Sequence, residues 1–479
     1  MRAAALRAAG VILLAGPTIL AFFSGGYFPT PRGLAGLCAW ILVAIALALS
    51  AGRIPTQGWP RCALGGLALL ALWTLTSTLW APIAGNAYGA GATALLYVGV
   101  VLAATLLLQD PLLRRGVEPV LAAGALIVVG YGLSERLLPG LLTFSGSVSA
   151  EGRLEQPLTY WNAMGELAAI GFVLCAALTG AFERPPWIRA LAAAGAAPLG
   201  LGLYISFSRG AIFACAAGLL ALVVLAPTRG QLRAVALTMA AAVLAAVLAA
   251  PLSSVTSVAG ALATRERQGA IALVGLGLIA GAAAAVALLL DGDARGGELR
   301  LPRHAGWLAT GLVCLGLGLA VSVGSGESSG VPLSGGASRL VTLQSNRYDY
   351  WRVALHAFAH EPVIGVGAGG WAVWWLRQRP YALGAHDAHS LELQTLAELG
   401  IVGFGLLAGS FTAFAMSGAQ ARRRAPALAA GPLAALVVWL AHSPLDWDWQ
   451  MPAVTLIAAV LAGAVLGLTE PPQSAEPHD

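Results

Sequence analysis

Long apolar runs alternate with short polar breaks along almost the whole chain. They fall near residues 8–25, 33–51, 62–81, 90–109, 117–134, 159–181, 190–207, 210–227, 232–250, 269–290, 305–323, 389–417, 427–444 and 451–468. A helix needs roughly 20 apolar residues to cross ~30 Å of hydrocarbon, and most of these runs approach that length. The pattern predicts an all-α, polytopic membrane bundle of about 14 transmembrane helices, since unpaired backbone is not tolerated against lipid. The pairs 190–207/210–227 and 427–444/451–468 have the shortest breaks and read as the tightest hairpins. No internal repeat is visible. Residues 1–24 resemble a signal peptide, but Pro17 interrupts the run and further spans follow, so they read as an uncleaved first helix.

The breaks divide the chain into N-terminal helices (1–134), central helices (135–323) with a polar loop at 135–158, and a long loop (324–388). C-terminal helices (389–468) and a Pro-rich, acidic tail (469–479), expected to be disordered, complete the order. With Arg2 and Arg7 in the cytoplasm, every second break carries arginine: Arg53/Arg61, Arg114/Arg115, Arg184/Arg189, Arg229/Arg233, Arg295/Arg300/Arg303 and Arg422/Arg423/Arg424. Short basic loops stay inside, so both termini are expected to be cytoplasmic. The long loop begins Gly/Ser-rich (324–338). It then shows an amphipathic helix from Asn346 to Ala359, with Tyr350, Trp351, Leu355 and Phe358 on nearby faces, and a glycine turn at 365–370. Trp371, Trp374 and Trp375 suit the headgroup level. The loop is expected to fold over the outer mouth of the bundle as a partial lid.

Composition sharpens this picture. The chain is 58% hydrophobic and only 10% charged, with mean hydropathy +0.79, whereas soluble domains carry roughly 25% charged residues. All 27 basic residues are arginine, and the formal charge of +5 lies in loops, so it does not indicate a nucleic-acid partner. The five cysteines sit inside apolar runs without metal-like spacing and read as small core residues.

Arginines on the expected outer side call for an explanation, because an ionisable group at membrane depth needs a wet cavity or a partner. Arg209 lies in Ser-Phe-Ser-Arg-Gly (206–210), Arg347 opens the loop helix, and Arg153 precedes Tyr160-Trp161-Asn162. Arg guanidinium binds phosphate oxygens in bidentate fashion, so two or three converging would seat a diphosphate without a metal. Local pairs are the alternative: Arg153 with Glu151 or Glu155, Arg347 with Asp349. His389 follows Asp387 and precedes Ser390 at the start of an apolar run. Asp387 or Ser390 can cap that helix, which places His389 in its first turn with a neutral ring, and Glu392 on the same face to orient it. That makes His389 a candidate general base. Asp446 and Asp448 form a D-x-D-like pattern that could hold a divalent metal, but between tryptophans an interface turn or an arginine partner is preferred.

In order, the motifs are Gly-Arg-Leu…Tyr-Trp-Asn (152–162), Ser-Arg-Gly (208–210), Asn-Arg-x3-Trp (346–351), Glu-Pro-x-x-Gly-x-Gly (361–367) and His-Ser-x3-Gln-x2-Ala-Glu-x-Gly-x-x-Gly (389–403). Together they resemble the O-antigen ligase/O-antigen polymerase superfamily over roughly residues 150–420. The resemblance implies a GT-C-type membrane glycosyltransferase acting at the outer face of the bacterial plasma membrane. It would move a glycan from an undecaprenyl-diphosphate carrier to a glycan, lipid or protein acceptor, without nucleotide sugar, metal or other cofactor. A flippase or a chain-length regulator is the partner such a pathway supplies. By the same resemblance His389 is the catalytic base and Arg209 and Arg347 bind the diphosphate; Arg153 joins them on the reading of the outer arginines. Glu392, Glu398, Asn162 and Trp351 support them. Ser390 stands where the family usually has Asn. A polymerase using a second lipid-linked repeat as acceptor remains open, separable by product length. So does a transporter or lipid flippase, which would carry pseudo-repeated halves with broken helices near the midplane.

Overall fold

The computed structural model describes residues 1–289, 299, 301–302, 304–324, 340 and 346–470. Its helices are α1 (Arg2–Ala21), α2 (Pro29–Ala48), α3 (Gly58–Thr76), α4 (Ala84–Leu107), α5 (Pro111–Leu137), α6 (Trp161–Gly180), α7 (Pro186–Ile205), α8 (Arg209–Leu225) and α9 (Arg229–Ala249). They continue with α10 (Ser253–Ser257), α11 (Leu262–Leu289), α12 (Ala305–Gly324), α13 (Arg347–His360), α14 (Gly370–Gln378), α15 (Leu391–Arg424), α16 (Pro426–His442) and α17 (Pro452–Gly467). No strand occurs among the described residues. Among the described residues ten helices are long and apolar enough to cross a membrane, and four shorter apolar ones join them. The protein is an integral membrane protein with a polytopic helical bundle, and each expected apolar run corresponds to one of these helices.

Helix starts follow from local chemistry. Asp110 accepts from the N–H groups of Leu112 and Leu113 (2.8 and 3.1 Å) ahead of Pro111, which has no N–H to lose. Ser208, Thr228 and Ser390 cap α8, α9 and α15 in the same way. The central helix is α6, apolar on all faces and buried along nearly its whole length, as a fully enclosed helix should be. By contrast α2 turns most of its surface outward, where lipid replaces protein as the apolar environment.

α15 breaks at Gly400, whose φ of +65° and ψ of −166° lie in a region that only glycine adopts readily. A break exposes backbone groups that lipid cannot satisfy. The segment before α14 supplies the partners: Val366 and Gly367 donate to the carbonyls of Ala397 and Glu398 (3.0 and 2.8 Å), and Ile401 donates to Pro362 (2.9 Å). The Glu-Pro-x-x-Gly-x-Gly and Ala-Glu-x-Gly motifs therefore dock on each other by main chain. A Cβ on Gly365 or Gly400 would collide with the facing backbone.

α13 and α14 pack on the start of α15 around a second, smaller core of Tyr350, Val353, Trp371, Trp375, Ala388 and Ala397. This corrects two expectations. Trp371 and Trp375 are fully buried rather than at headgroup level, because they fill this core, while Leu355 faces outward. The tightest connection is between α15 and α16, a single residue, Ala425. Cys38, Cys62 and Cys314 also differ from expectation, lying on outward surfaces, where only Cys175 and Cys215 are buried. The Gly/Ser-rich stretch at 324–338, Arg295, Arg300, Arg303 and the tail from 471 lie outside the described residues, apart from Gly324.

Candidate active site

The nine-residue turn between α16 and α17 organises the site. Its Asp446 is fully buried and has four donors around it. Arg347 reaches one carboxylate oxygen at 2.8 Å. The other receives the Tyr160 hydroxyl (2.7 Å), the Trp447 N–H (3.0 Å) and His389 Nδ1 (3.0 Å). Asn162 in turn donates to the Tyr160 hydroxyl at 2.7 Å. Burial alone would raise the Asp446 carboxyl, but the Arg347 guanidinium and the His389 imidazole outweigh it and hold the group below the usual carboxylate range. Burial and the neighbouring Asp446 push the Tyr160 phenol well up, so it remains a donor. Burial opposes the charge on Arg347, yet Asp446 and Tyr160 more than offset that and keep it fully cationic.

An ionised carboxylate can only accept, so His389 Nδ1 carries a hydrogen and Nε2 becomes the basic nitrogen. The ring is held besides by stacking on Tyr350 (centroids 5.2 Å) and by the edge of Trp447 (6.2 Å). Trp351 donates to the His389 carbonyl (3.4 Å). The His389 backbone has φ +52°, a left-handed conformation uncommon for a residue other than glycine. Gln394 fixes that loop by accepting from Ala388 and donating to Asp387 (both 3.1 Å).

Several expectations change. His389 is not in the first turn of α15. It precedes the cap, and Ser390 accepts from Leu393 (3.3 Å). Glu392 does not orient the imidazole; it accepts from Ser443 (3.0 Å) and Ser390 (3.4 Å), and Asp446 holds the ring instead. Arg347 pairs with Asp446, leaving Asp349 to Arg352 (2.9 Å). This is the arginine partner expected for the D-x-D-like turn. Arg209, at the first position of α8, stands in electrostatic reach of Arg347 and Tyr348. Arg153 is held by its own loop. Its guanidinium lies 3.7 Å over the Trp161 ring and donates to the Ala150 carbonyl (2.8 Å), because its loop curls around it. Glu398 accepts from the Trp371 N–H (3.2 Å), so it places a carboxyl at the start of α14.

Beneath the turn sits a second cluster, of which the sequence singled out Asp448 alone. His442 Nδ1 is 2.7 Å from Asp448 and 3.5 Å from Glu166, and the three side chains are essentially inaccessible. Both Glu166 oxygens, His442 Nε2 and one Asp448 oxygen lack a hydrogen-bond partner. By donor type these groups, whose ligand atoms lie within 4.8 Å of one another, could hold a cation. Two ligands of one ion with bonds of ~2.0–2.2 Å sit about 3 Å or more apart, so the 2.7 Å contact is that of a hydrogen bond. The sequence signal was the spacing from His442 to Asp448, but the Glu166 partner is far away in the chain and could not be paired with them.

Residues 252–408 match the sequence model of a family described as O-Antigen ligase, in agreement with the superfamily that the motifs resemble. Arg347 and His389 lie inside the matched stretch; Arg153, Asn162, Arg209 and Asp446 lie outside it. No curated protein matches the chain. The match supports ligase- or polymerase-type glycosyl transfer in general, with a lipid-linked glycan and an acceptor as the kinds of partner.

Proposed function

We propose that this O-antigen-ligase-like membrane protein transfers a glycan from a lipid diphosphate carrier, of the undecaprenyl type, to an acceptor hydroxyl at the outer face of the bacterial plasma membrane. The observation that carries this reading is the continuous chain Arg347–Asp446–His389, with contacts of 2.8 and 3.0 Å. His389 Nε2 takes the proton of the acceptor hydroxyl as its oxygen attacks the anomeric carbon. The carbon–oxygen bond to the diphosphate breaks, and the leaving group departs with the electron pair. Asp446 fixes the tautomer and stabilises the imidazolium that forms, while general-base catalysis by His389 itself contributes about 10²–10⁴-fold. Arg209 and Arg347, within electrostatic reach of each other, neutralise the leaving diphosphate. Attack opposite the diphosphate inverts the anomeric centre.

The lipid tail has an apolar seat within the bundle. A cavity of about 360 Å³ is bounded by α3, α4, α15, α16 and α17, and its lining runs from Trp449 beside the catalytic turn to Arg422 at the other end. The test uses purified protein, a lipid-diphosphate glycan and an acceptor. Wild type transfers, and His389→Ala and Arg209→Ala do not. Retained transfer in His389→Ala removes the base assignment, and retained transfer in Arg209→Ala removes the diphosphate clamp.

A further inference from the structure

A cavity of about 700 Å³ opens between the first turns of α2 and α4, separate from the arginines assigned to the diphosphate. Its far wall includes Asp387 and Gln394, and Asp387 is only two residues from His389. Arg32 lines it, and among the described residues its guanidinium makes no hydrogen bond or ion pair. Asn86 and Gln450 add amide donors and acceptors, and Tyr27, Trp40 and Tyr88 add ring faces. Gly33 and Gly85 leave the walls open, since a Cβ on either would meet nothing within 4 Å.

This set matches one kind of ligand. A pyranose presents an apolar C–H face, which aromatic rings cover, and a rim of hydroxyls, which amides bind from both sides. Arg32 is half-buried with no partner among the described residues, so its guanidinium is free to take a phosphate or carboxylate in bidentate fashion. Asp387 does not answer it, because burial raises its carboxyl and Gln394 is its partner. We propose that this cleft is a carbohydrate site for a sugar bearing a phosphate or carboxylate group, with Arg32 taking the anion and Asn86 and Gln450 the hydroxyls. Identifying that sugar with the acceptor rests on the transferase reading; the site itself does not.

Binding is therefore measured first without turnover, by saturation-transfer NMR on the full-length protein in phosphate-free detergent and in phosphatidylcholine nanodiscs. The probes are glucose 6-phosphate, glucuronate, glucose and inorganic phosphate. Saturable binding is expected for glucose 6-phosphate or glucuronate, whichever carries the matching anion, and weaker binding for glucose and for phosphate. Arg32→Ala weakens it at least about tenfold, Arg32→Lys less, and Asn86→Ala provides a second variant away from the charge. Equal binding of inorganic phosphate, no change in Arg32→Ala, or loss of binding in nanodiscs, which would hand the seat to lipid headgroups, each overturns the proposal. In the transfer assay Arg32→Ala should raise the acceptor KM and leave the donor KM unchanged. If transfer is absent from the wild type while sugar binding persists, the transferase reading fails and the cleft stands.

Discussion

Asp446 is a fully buried carboxylate with one guanidinium to balance it, which gives substitutions at this pair unequal consequences. Removing Arg347 leaves the charge uncompensated, a loss of about 3–5 kcal/mol. Removing the charge along with its partner costs less. Thermal unfolding in detergent should rank Arg347→Ala below Arg347→Ala/Asp446→Asn, and the reverse order would mean that the pair is not coupled. The same carboxyl predicts a pH dependence. Its folded pKa lies below the unfolded value of ~3.9, so its stabilisation is complete above that value and is lost as pH falls through the folded one. The melting advantage of wild type over Asp446→Asn should be constant near neutrality and narrow only below about pH 4. An advantage that shrinks towards alkaline pH would contradict the assignment.

Between elements, the decisive contact is the docking of residues 362–367 on the broken α15. Gly400 holds a backbone conformation that costs a residue with a Cβ about 1–3 kcal/mol, before counting the collision with Val363. Gly400→Ala should thus loosen the segment carrying α13 and α14. Limited proteolysis would show faster cutting around residues 379–386, and transfer should fall because Arg347 and Tyr350 ride on the same unit. Unchanged proteolysis would make the docking incidental. The glycine turn and the loop helix were legible in the chain, since glycine spacing and amphipathic period are local. Which carboxylate met Arg347 and His389 was not. Asp446 lies 57 residues beyond His389, and hydropathy says nothing about how spans pack sideways. The adjacent Glu392 looked the better orienter for that reason. The burial of Trp371 and Trp375 was missed likewise, because a second core under the loop leaves no periodic trace.

At the scale of the whole molecule, apolar-run counting was enough for the helical order, because lipid forces each span to satisfy its own backbone. Sidedness rests on the arginine pattern. In a cysteine-free background, Leu383→Cys should react with an impermeant maleimide in intact cells, and Arg423→Cys only after permeabilisation. The opposite pattern would turn the site towards the cytosol and remove the outer-face transfer reaction. The Glu166–His442–Asp448 cluster joins α6 to the last turn of the bundle, and two carboxyls and an imidazole balance only with an extra proton among them. Glu166→Gln keeps that neutral shape and should melt within a few degrees of wild type. His442→Ala, which strands two carboxyls, should melt much lower.

The carboxylate hydrogen-bonded to His389 lies in the turn between α16 and α17, so synthesis itself imposes an order. A ribosome has inserted every earlier span, including the one headed by His389, before Asp446 emerges. On the proposed mechanism, a nascent or prematurely stopped polypeptide ending near Ala425 would be membrane-inserted yet inert, and could not consume lipid-linked sugar before the α16–α17 hairpin is threaded into place.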